Sequence, residues 1–129
     1  MRGRAAWIIF FFLTTGIALG EPSSTVAFDH DASAIEVLKH AWHPDTVWER
    51  IGKTKFVWSA TVRNNSGIRK RVFVYYDLLD AGGVPLARNV ANRYIEAHQT
   101  LDVTSDSYIM SVDLPSVKTS RVTVRVGFP

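Results

Sequence analysis

The sequence predicts an all-β chain, folded as an immunoglobulin-like antiparallel β-sandwich of about seven strands. Apolar and polar residues alternate through several short segments, most clearly in residues 55–64. A two-residue period of this kind places one apolar face of a strand against a core. Turn segments rich in Gly, Asn and Asp separate these segments at regular spacing, as in sandwich domains. The 129 residues contain no cysteine, so the core alone must hold the fold without disulfides.

The first twenty residues have the composition of a signal peptide. Arg2 and Arg4 form a positively charged start, residues 5–19 are apolar, and Ala18 and Gly20 are small residues at the positions that a signal peptidase reads. We therefore expect cleavage after Gly20 and a periplasmic or secreted protein. As a helix, the apolar run would reach about 22 Å, against roughly 30 Å for a bilayer core. Retention of residues 1–20 as an anchor is the alternative.

The remaining chain is predicted to form one domain. Residues 21–33 are interpreted as a loose polar leader, in which Val26 and Phe28 allow a short edge strand, and residues 34–129 as the sandwich, because this length suits a single core. The net charge of +3 includes two arginines of the signal peptide, so the processed chain carries about +1. This balance gives no electrostatic case for nucleic-acid binding, and no stable membrane span is expected after processing.

The first two strands of the domain are predicted at residues 34–42 and 55–64. Ile35, Leu38 and Trp42 could also form a helical stripe, but Pro44 ends the run early and so short a helix is marginal, which favours a strand. Residues 43–54 are read as a connection. In the second strand Trp58 has the parity of the buried face, and we expect it at the centre of the core.

Two turns bracket the next predicted strand, residues 71–79. The segment 64–67 reads Asn-Asn-Ser-Gly, which tolerates left-handed backbone. On the strand, Val72, Val74, Tyr76 and Leu78 share one face. The second turn starts at Asp80, whose carboxylate is expected to accept backbone N–H groups.

Three further strands are predicted at residues 88–95, 101–112 and 121–128. In the second of these, Leu101 and Ile109 have one parity whereas Tyr108 and Met110 have the other, so we expect a bulge or bend near Ser105. The last strand alternates most regularly. Its inward residues are Val122, Val124, Val126 and Phe128, and its outward residues are Arg121, Thr123 and Arg125.

The segment from Val62 to Gly83 resembles bacterial FxLYD-type domains, which carry a V-x-N-x-S element followed by F-x-L-Y-D-a-x-G. The first element is present as residues 62–66. In the second, the positions of the motif letters are occupied by Tyr76, Leu78, Leu79, Asp80 and Gly83. Two letters are therefore changed, both to other aromatic or apolar residues. The resemblance spans residues 35–126 and implies an extracytoplasmic immunoglobulin-like sandwich with no catalytic residues to transfer. The structural motif positions are Asn64, Tyr76, Leu78, Asp80 and Gly83.

A metal-handling protein is the alternative function, resting on His40 and His43 with His30 or His98 as further ligands. A transition-metal site needs imidazoles that converge in space. On a helix His40 and His43 would share a face, whereas on a strand they point in opposite directions. The strand prediction therefore weakens this pair, and no metal or other cofactor is expected.

No arrangement for catalysis is evident, and we expect the protein not to be an enzyme. The acid pairs Asp77 with Asp80 and Asp102 with Asp106 could suggest a glycosidase, which needs two carboxyl groups across a cleft. We interpret Asp80 as a turn residue, and Asp102 and Asp106 as rim residues of an exposed strand.

Four residues are candidates for a partner surface. Arg69, Lys70 and Arg71 form a basic run beside a turn, and Trp48 lies in the connection before the second strand. Tryptophan is enriched at interface hot spots, although Trp48 could instead cap the core, and the basic run could simply protect a strand end. The sequence thus predicts an exported, non-catalytic binding module with an unidentified protein partner in the cell envelope.

Overall fold

The computed structural model describes residues 24–28 and 34–127. The predicted signal peptide, most of the leader and Phe128 lie outside the described residues. Two short 3-10 turns, Glu49–Ile51 and Ser111–Ser116, accompany the strands. The strands are β1 (Ser24–Phe28), β2 (Ile35–Trp48), β3 (Lys53–Asn64), β4 (Lys70–Leu79), β5 (Pro85–Ile95), β6 (Thr100–Met110) and β7 (Thr119–Val126).

The strands form two facing sheets, in the orders β1-β7-β4-β5 and β2-β3-β6. Every hydrogen-bonded pair is antiparallel except β1, which runs parallel to β7. The prediction of an all-β, immunoglobulin-like sandwich is therefore confirmed for the described residues. The edge strand expected around Val26 and Phe28 is present as β1.

The connections cluster at two opposite ends of the sandwich. At one end, which we call the Ile51 end, the loops after β2, β4 and β6 meet, and the Ser111 N–H donates to the Gly52 carbonyl at 2.8 Å. At the other, the Ile68 end, the loops after β3 and β5 meet, and the Asn64 N–H donates to the Gln99 carbonyl at 2.9 Å. β1 starts at the Ile51 end, because Ser24 is level with Ser120 near the start of β7.

Trp58 is the largest fully buried side chain, and only 1% of its surface is exposed. Its indole stacks on Tyr76 of the opposite sheet, with ring centroids 5.0 Å apart, and its Nε1 donates to Asn89 Oδ1 at 2.8 Å. The predicted core position of Trp58 is thus confirmed. The other large core residues are Ile35, Phe56, Val62, Val72, Val74, Leu78, Ile95, Val103, Ile109 and Val122.

The first strand of the domain is longer than the sequence predicts. β2 continues through Pro44 to Trp48, although we expected Pro44 to end it. β2 pairs only with β3 among the described strands, and its register shifts between Pro44 and Val47. Proline has no N–H group, but on an edge strand beside a bulge no neighbouring strand needs that donor. The strand can therefore continue and pair again beyond Pro44.

The bulge expected near Ser105 is absent, because β6 pairs with β3 in one continuous register from Thr100 to Met110. Ser105 lies opposite Trp58 in this register, and Ser107 lies opposite Phe56. The two serines occupy inward positions where a small side chain leaves room for a large ring. The apolar residues of this strand change parity because Tyr108 and Met110 face outward, and not because the strand is bulged.

Candidate functional site

The outer face of the four-stranded sheet carries a concentration of arginines. On β4, Arg71, Phe73, Tyr75 and Asp77 alternate with the core residues and point away from them. Their partners in register on β5 and β7 have the same orientation. These partners are Arg88, Val90, Asn92 and Tyr94 on β5, and Arg121, Thr123 and Arg125 on β7. We call these residues, together with Arg69, the arginine face.

Asp77 lies at the centre of one half of the arginine face and is 1% exposed. The register places Arg88 on one side of it and Arg121 on the other. Arg88 donates from Nε to Oδ1 at 2.6 Å and from Nη2 to Oδ2 at 3.2 Å. Arg121 donates from Nε and Nη2 to Oδ2 at 3.2 and 2.7 Å. One buried carboxylate therefore holds two guanidinium groups in fixed orientations.

The electrostatics of this cluster favour an ionised carboxylate. Burial on its own raises the pKa of Asp77, but the hydrogen bonds and positive charges of Arg88 and Arg121 outweigh burial and hold it below its ordinary value. The hydrogen bond and charge of Asp77 in turn raise the pKa of Arg88. Two cations on one anion leave a net positive charge, and Asp77 does not engage the Nη1 group of either arginine.

A depression of about 530 Å³ opens above this cluster. Its walls and floor offer guanidinium groups and the hydroxyl groups of Tyr75 and Thr123. The one carboxylate in its lining, Asp77, is already hydrogen-bonded to two arginines. Such a lining suits an anionic group, because forked arginine donors match the two oxygens of a carboxylate.

The other half of the arginine face combines cations with aromatic rings. The Arg69 guanidinium lies 4.2 Å from the Tyr94 ring centroid, and its Nε is 3.0 Å from a Glu96 carboxylate oxygen. The Arg71 guanidinium lies 5.0 Å from the Phe73 ring centroid. Stacking on a ring fixes a guanidinium while leaving its edge available for hydrogen bonds. The face thus carries five arginines and one carboxylate, Asp77, with Glu96 beside it.

The four residues predicted as one partner surface are not brought together. Arg69 and Arg71 lie on the arginine face, whereas Lys70 is level with Ile95 and has the parity of the core side. Trp48 is 49% exposed, so it does not cap the core, and it lies at the Ile51 end of the other sheet. The twelve residues of β3 separate the two ends, which corresponds to about 36 Å at the rise of an extended strand.

The histidines do not converge. His40 faces the sandwich interior, and its Nδ1 is 3.0 Å from Tyr76 Oη. His43 lies on the opposite face of β2 and is exposed, while His98 is at the Ile68 end and His30 lies outside the described residues. Within residues 34–127 and β1, no group of three or more His, Asp or Glu side chains could hold a metal ion. The geometry therefore gives no support to the metal-handling alternative.

His40 instead belongs to a hydrogen-bonded chain that crosses the interior. Tyr76 Oη donates to Ser120 Oγ at 3.1 Å, so His40 Nδ1–H donates to Tyr76 Oη. Burial lowers the pKa of His40 to about 4 and raises the pKa of Tyr76 far above its ordinary value. His40 Nε2 is buried and has no hydrogen-bond partner among the described residues. These hydrogen bonds link β2 of one sheet to β4 and β7 of the other.

The motif residues have structural roles. Asn64 is fully buried, its Nδ2 donates to the carbonyls of Ile68 and Ile95, and its Oδ1 accepts from the Ser66 N–H and Oγ–H. Asp80 Oδ1 accepts the N–H groups of Gly82 and Val84, both at 2.9 Å, as predicted. Gly83 has φ of 81°, which suits a residue without Cβ. Tyr76 and Leu78 are fully buried.

The clustering of Asp77, Arg88 and Arg121 is not evident from the sequence. In the sequence Asp77 stands out only as half of an acid pair with Asp80. The available signal was the position of Asp77 within an otherwise apolar strand, since a carboxylate that becomes buried there has to be paired with a cation. Only the register of β4 with β5 and β7 supplies those partners.

Comparison with known proteins gives information on the fold alone. No family model matches the chain, and neither does any curated protein. A β-glucuronidase from glycoside hydrolase family 2 matches with a TM-score of 0.51 and 13% identity, over 66% of this chain and 11% of the glucuronidase. Cj0090 from Campylobacter jejuni matches with a TM-score of 0.48 and 16% identity, over 79% of this chain and 97% of that one. The glucuronidase match supports a β-sandwich.

The part of the chain that the structure describes includes no helix with the length and apolar character needed to cross a bilayer.

Proposed function

We propose that the protein is an exported, non-catalytic binding module, and that its arginine face recognises an acidic segment of a protein in the cell envelope. The observation that carries this proposal is the buried Asp77 carboxylate, which fixes Arg88 and Arg121 from below. Export rests on the signal-peptide composition of residues 1–20. The turn roles of Asn64 and Asp80 support the proposed relation to FxLYD-type domains.

The chemistry of the arginine face favours a carboxylate-rich partner. Arg and Tyr are the residue types enriched at protein interfaces, where a few well-held side chains supply most of the affinity. Because Asp77 orients Arg88 and Arg121 in advance, these two side chains would lose less conformational entropy when a partner carboxylate binds them. The Arg88 side chain is 58% exposed and that of Arg121 is 31% exposed, so both can be reached from solvent.

The experiment is a titration of the purified protein with a hexaglutamate peptide, followed by NMR, with Arg88→Gln as the test variant. We expect chemical-shift changes on β4, β5 and β7 and an affinity at least tenfold weaker in Arg88→Gln. Arg63→Gln is the matched control, because Arg63 is an exposed cation of the other sheet. Its affinity should stay within twofold of wild type.

Two results would contradict the proposal. The first is an equal loss of affinity in Arg88→Gln and Arg63→Gln, which would indicate a non-specific charge effect. The second is a set of shift changes that lies outside the arginine face.

A further inference from the structure

Exposed apolar side chains concentrate at the Ile51 end of the sandwich. Val47, Trp48 and Ile51 lie at the end of β2 and in the turn after it, and Met110 and Val112 lie at the end of β6 and in the turn after that strand. We call these five residues the apolar tip. Ile51 is 59% exposed and Val112 is 80% exposed. An exposed apolar cluster of this kind on a single domain marks a contact site for a protein or a membrane.

The apolar tip is a preformed surface. Trp48, Lys53 and Met110 are neighbours in register across the three strands of their sheet. The loop after β2 is tied to the loop after β6 by a bond from the Ser111 N–H to the Gly52 carbonyl at 2.8 Å. A second bond, also of 2.8 Å, joins the hydroxyls of Ser111 and of Thr54 at the start of β3. The apolar side chains are therefore held outward by the backbone that carries them.

The first described residue lies at this same end. β1 runs parallel to β7 with Ser24 level with Ser120, and Thr119 is level with Leu79 at the end of β4. Ser24 is therefore at the Ile51 end of the sandwich. Four residue steps connect Gly20 to Ser24 and reach at most about 14 Å. A bilayer that holds the apolar run 5–19 must then lie close to the apolar tip.

We propose that the apolar tip rests on the surface of the lipid bilayer that holds residues 5–19 while they remain attached to the domain. A run of this length is shorter than the bilayer core, so the bilayer draws the adjoining residues toward its surface. Trp48 suits that position, because tryptophan favours the membrane interface. Glu49 and Asp113 offset Arg50 and Lys53 around the tip, so apolar contact rather than lipid charge holds it there.

The cysteine-free sequence allows a direct test on the full chain. Single variants Ile51→Cys and Ile68→Cys, exposed by 59% and 64% at opposite ends, carry an environment-sensitive fluorophore. The labelled chains are reconstituted into phosphatidylcholine vesicles that contain a lipid-borne quencher. We expect quenching at residue 51 at least threefold stronger than at residue 68. Adding 30% phosphatidylglycerol should leave this ratio unchanged.

A second substitution separates docking from simple proximity to the anchor. Trp48→Ala in the Ile51-labelled chain should reduce the quenching, whereas Tyr94→Ala, a similarly exposed aromatic at the Ile68 end, should not. Equal quenching at the two labels, or no response to Trp48→Ala, would overturn the proposal. So would shielding of the residue 51 label that depends on protein concentration and not on lipid, which would assign the tip to contact between two copies.

Discussion

The Trp58 indole and the Tyr76 phenol lie parallel, 5.0 Å apart and inclined by 10°, with one ring contributed by each sheet. Each ring is also hydrogen-bonded, the indole to Asn89 and the phenol to Ser120. Aromatic stacking in this geometry adds to the free energy of burial. The pair therefore joins the two sheets at a point where four strands meet.

Replacing Trp58 should test how much this contact between the two sheets stabilises the fold. Trp58→Ala leaves a large cavity and removes the hydrogen-bond donor of Asn89, so we expect a loss of about 3–5 kcal/mol in the free energy of unfolding. Urea denaturation of the variant and of wild type measures the difference. Trp48→Ala, at the exposed tip, is the control and should change stability by less than about 1 kcal/mol. Similar midpoints for Trp58→Ala and wild type would contradict the assignment of Trp58 to the core.

Asn64 should be the most sensitive position of the turn between β3 and β4. Asn64→Ala removes the donors for two carbonyl groups and the acceptor of Ser66, so we expect a loss of about 2–4 kcal/mol. Asn65→Ala is the neighbouring control, because its side chain is exposed and donates only to Glu36 in the described region. Thermal unfolding distinguishes the two, and an equal effect of both variants would show that the Asn64 bonds do not stabilise the turn.

Stability should fall as the pH is lowered from 6.5 toward 4, because His40 is protonated in the unfolded state before it is protonated in the folded state. The folded-state pKa of His40 is about 4 against 6.5 when unfolded, so below pH 6.5 the unfolded state binds the extra proton. The contribution of neutral His40 is complete above pH 6.5 and is lost as the pH falls to about 4, amounting to about 3 kcal/mol. Denaturant melts at pH 7, 5.5 and 4 measure this loss.

His40→Asn is the matched variant for this pH dependence, because its amide can still donate to Tyr76. It should show a flatter profile between pH 6.5 and 4. The neighbours of His40 do not titrate in this range, since Ser120 is neutral and burial raises the pKa of Tyr76. An unchanged slope in the variant would rule out His40 as the cause.

The contribution of the Asp77 ion pairs to stability should be lost at a lower pH than that of His40. Because the folded-state pKa of Asp77 is depressed, its contribution is present above its ordinary pKa of 3.8 and disappears as the pH falls through the folded value. Asp77→Asn should lower stability at pH 7 by about 2–4 kcal/mol, because two guanidinium groups lose their counter-ion. The difference between the variant and wild type should shrink as the pH falls below 3.8 and through the folded-state pKa of Asp77, and a difference that grows on acidification would contradict the ion-pair account.

The sequence predicts which side chains face the core, because this depends on the alternation of apolar and polar residues along each strand. It predicts much less about which residues of different strands lie side by side. The parity of Trp58, Tyr76 and Val122 followed from a two-residue period, and the role of Asp80 followed from its turn. Pairing between strands that are distant in the sequence carries no such local signal. The union of Asp77 with Arg88 and Arg121 therefore required the three-dimensional arrangement.

The same distinction explains the errors. Pro44 was expected to end a strand because proline lacks an N–H group, but the cost depends on whether a neighbouring strand would have accepted that group. Similarly, the parity change near Ser105 predicts a bulge only if every apolar residue faces the core, whereas Tyr108 and Met110 are exposed near the Ile51 end. At both positions the outcome depends on the neighbouring strand or on solvent exposure, which the residues of the strand itself do not reveal.

The parallel pairing of β1 with β7 has a consequence for when the domain can be completed. Ser24 meets a residue, Ser120, that follows it by 96 positions, and contacts so distant in sequence form slowly. The ribosome has to release the segment up to residue 124 before β1 can complete its pairing with β7. The edge of the four-stranded sheet at β1 can therefore form only after β2 to β6 have emerged.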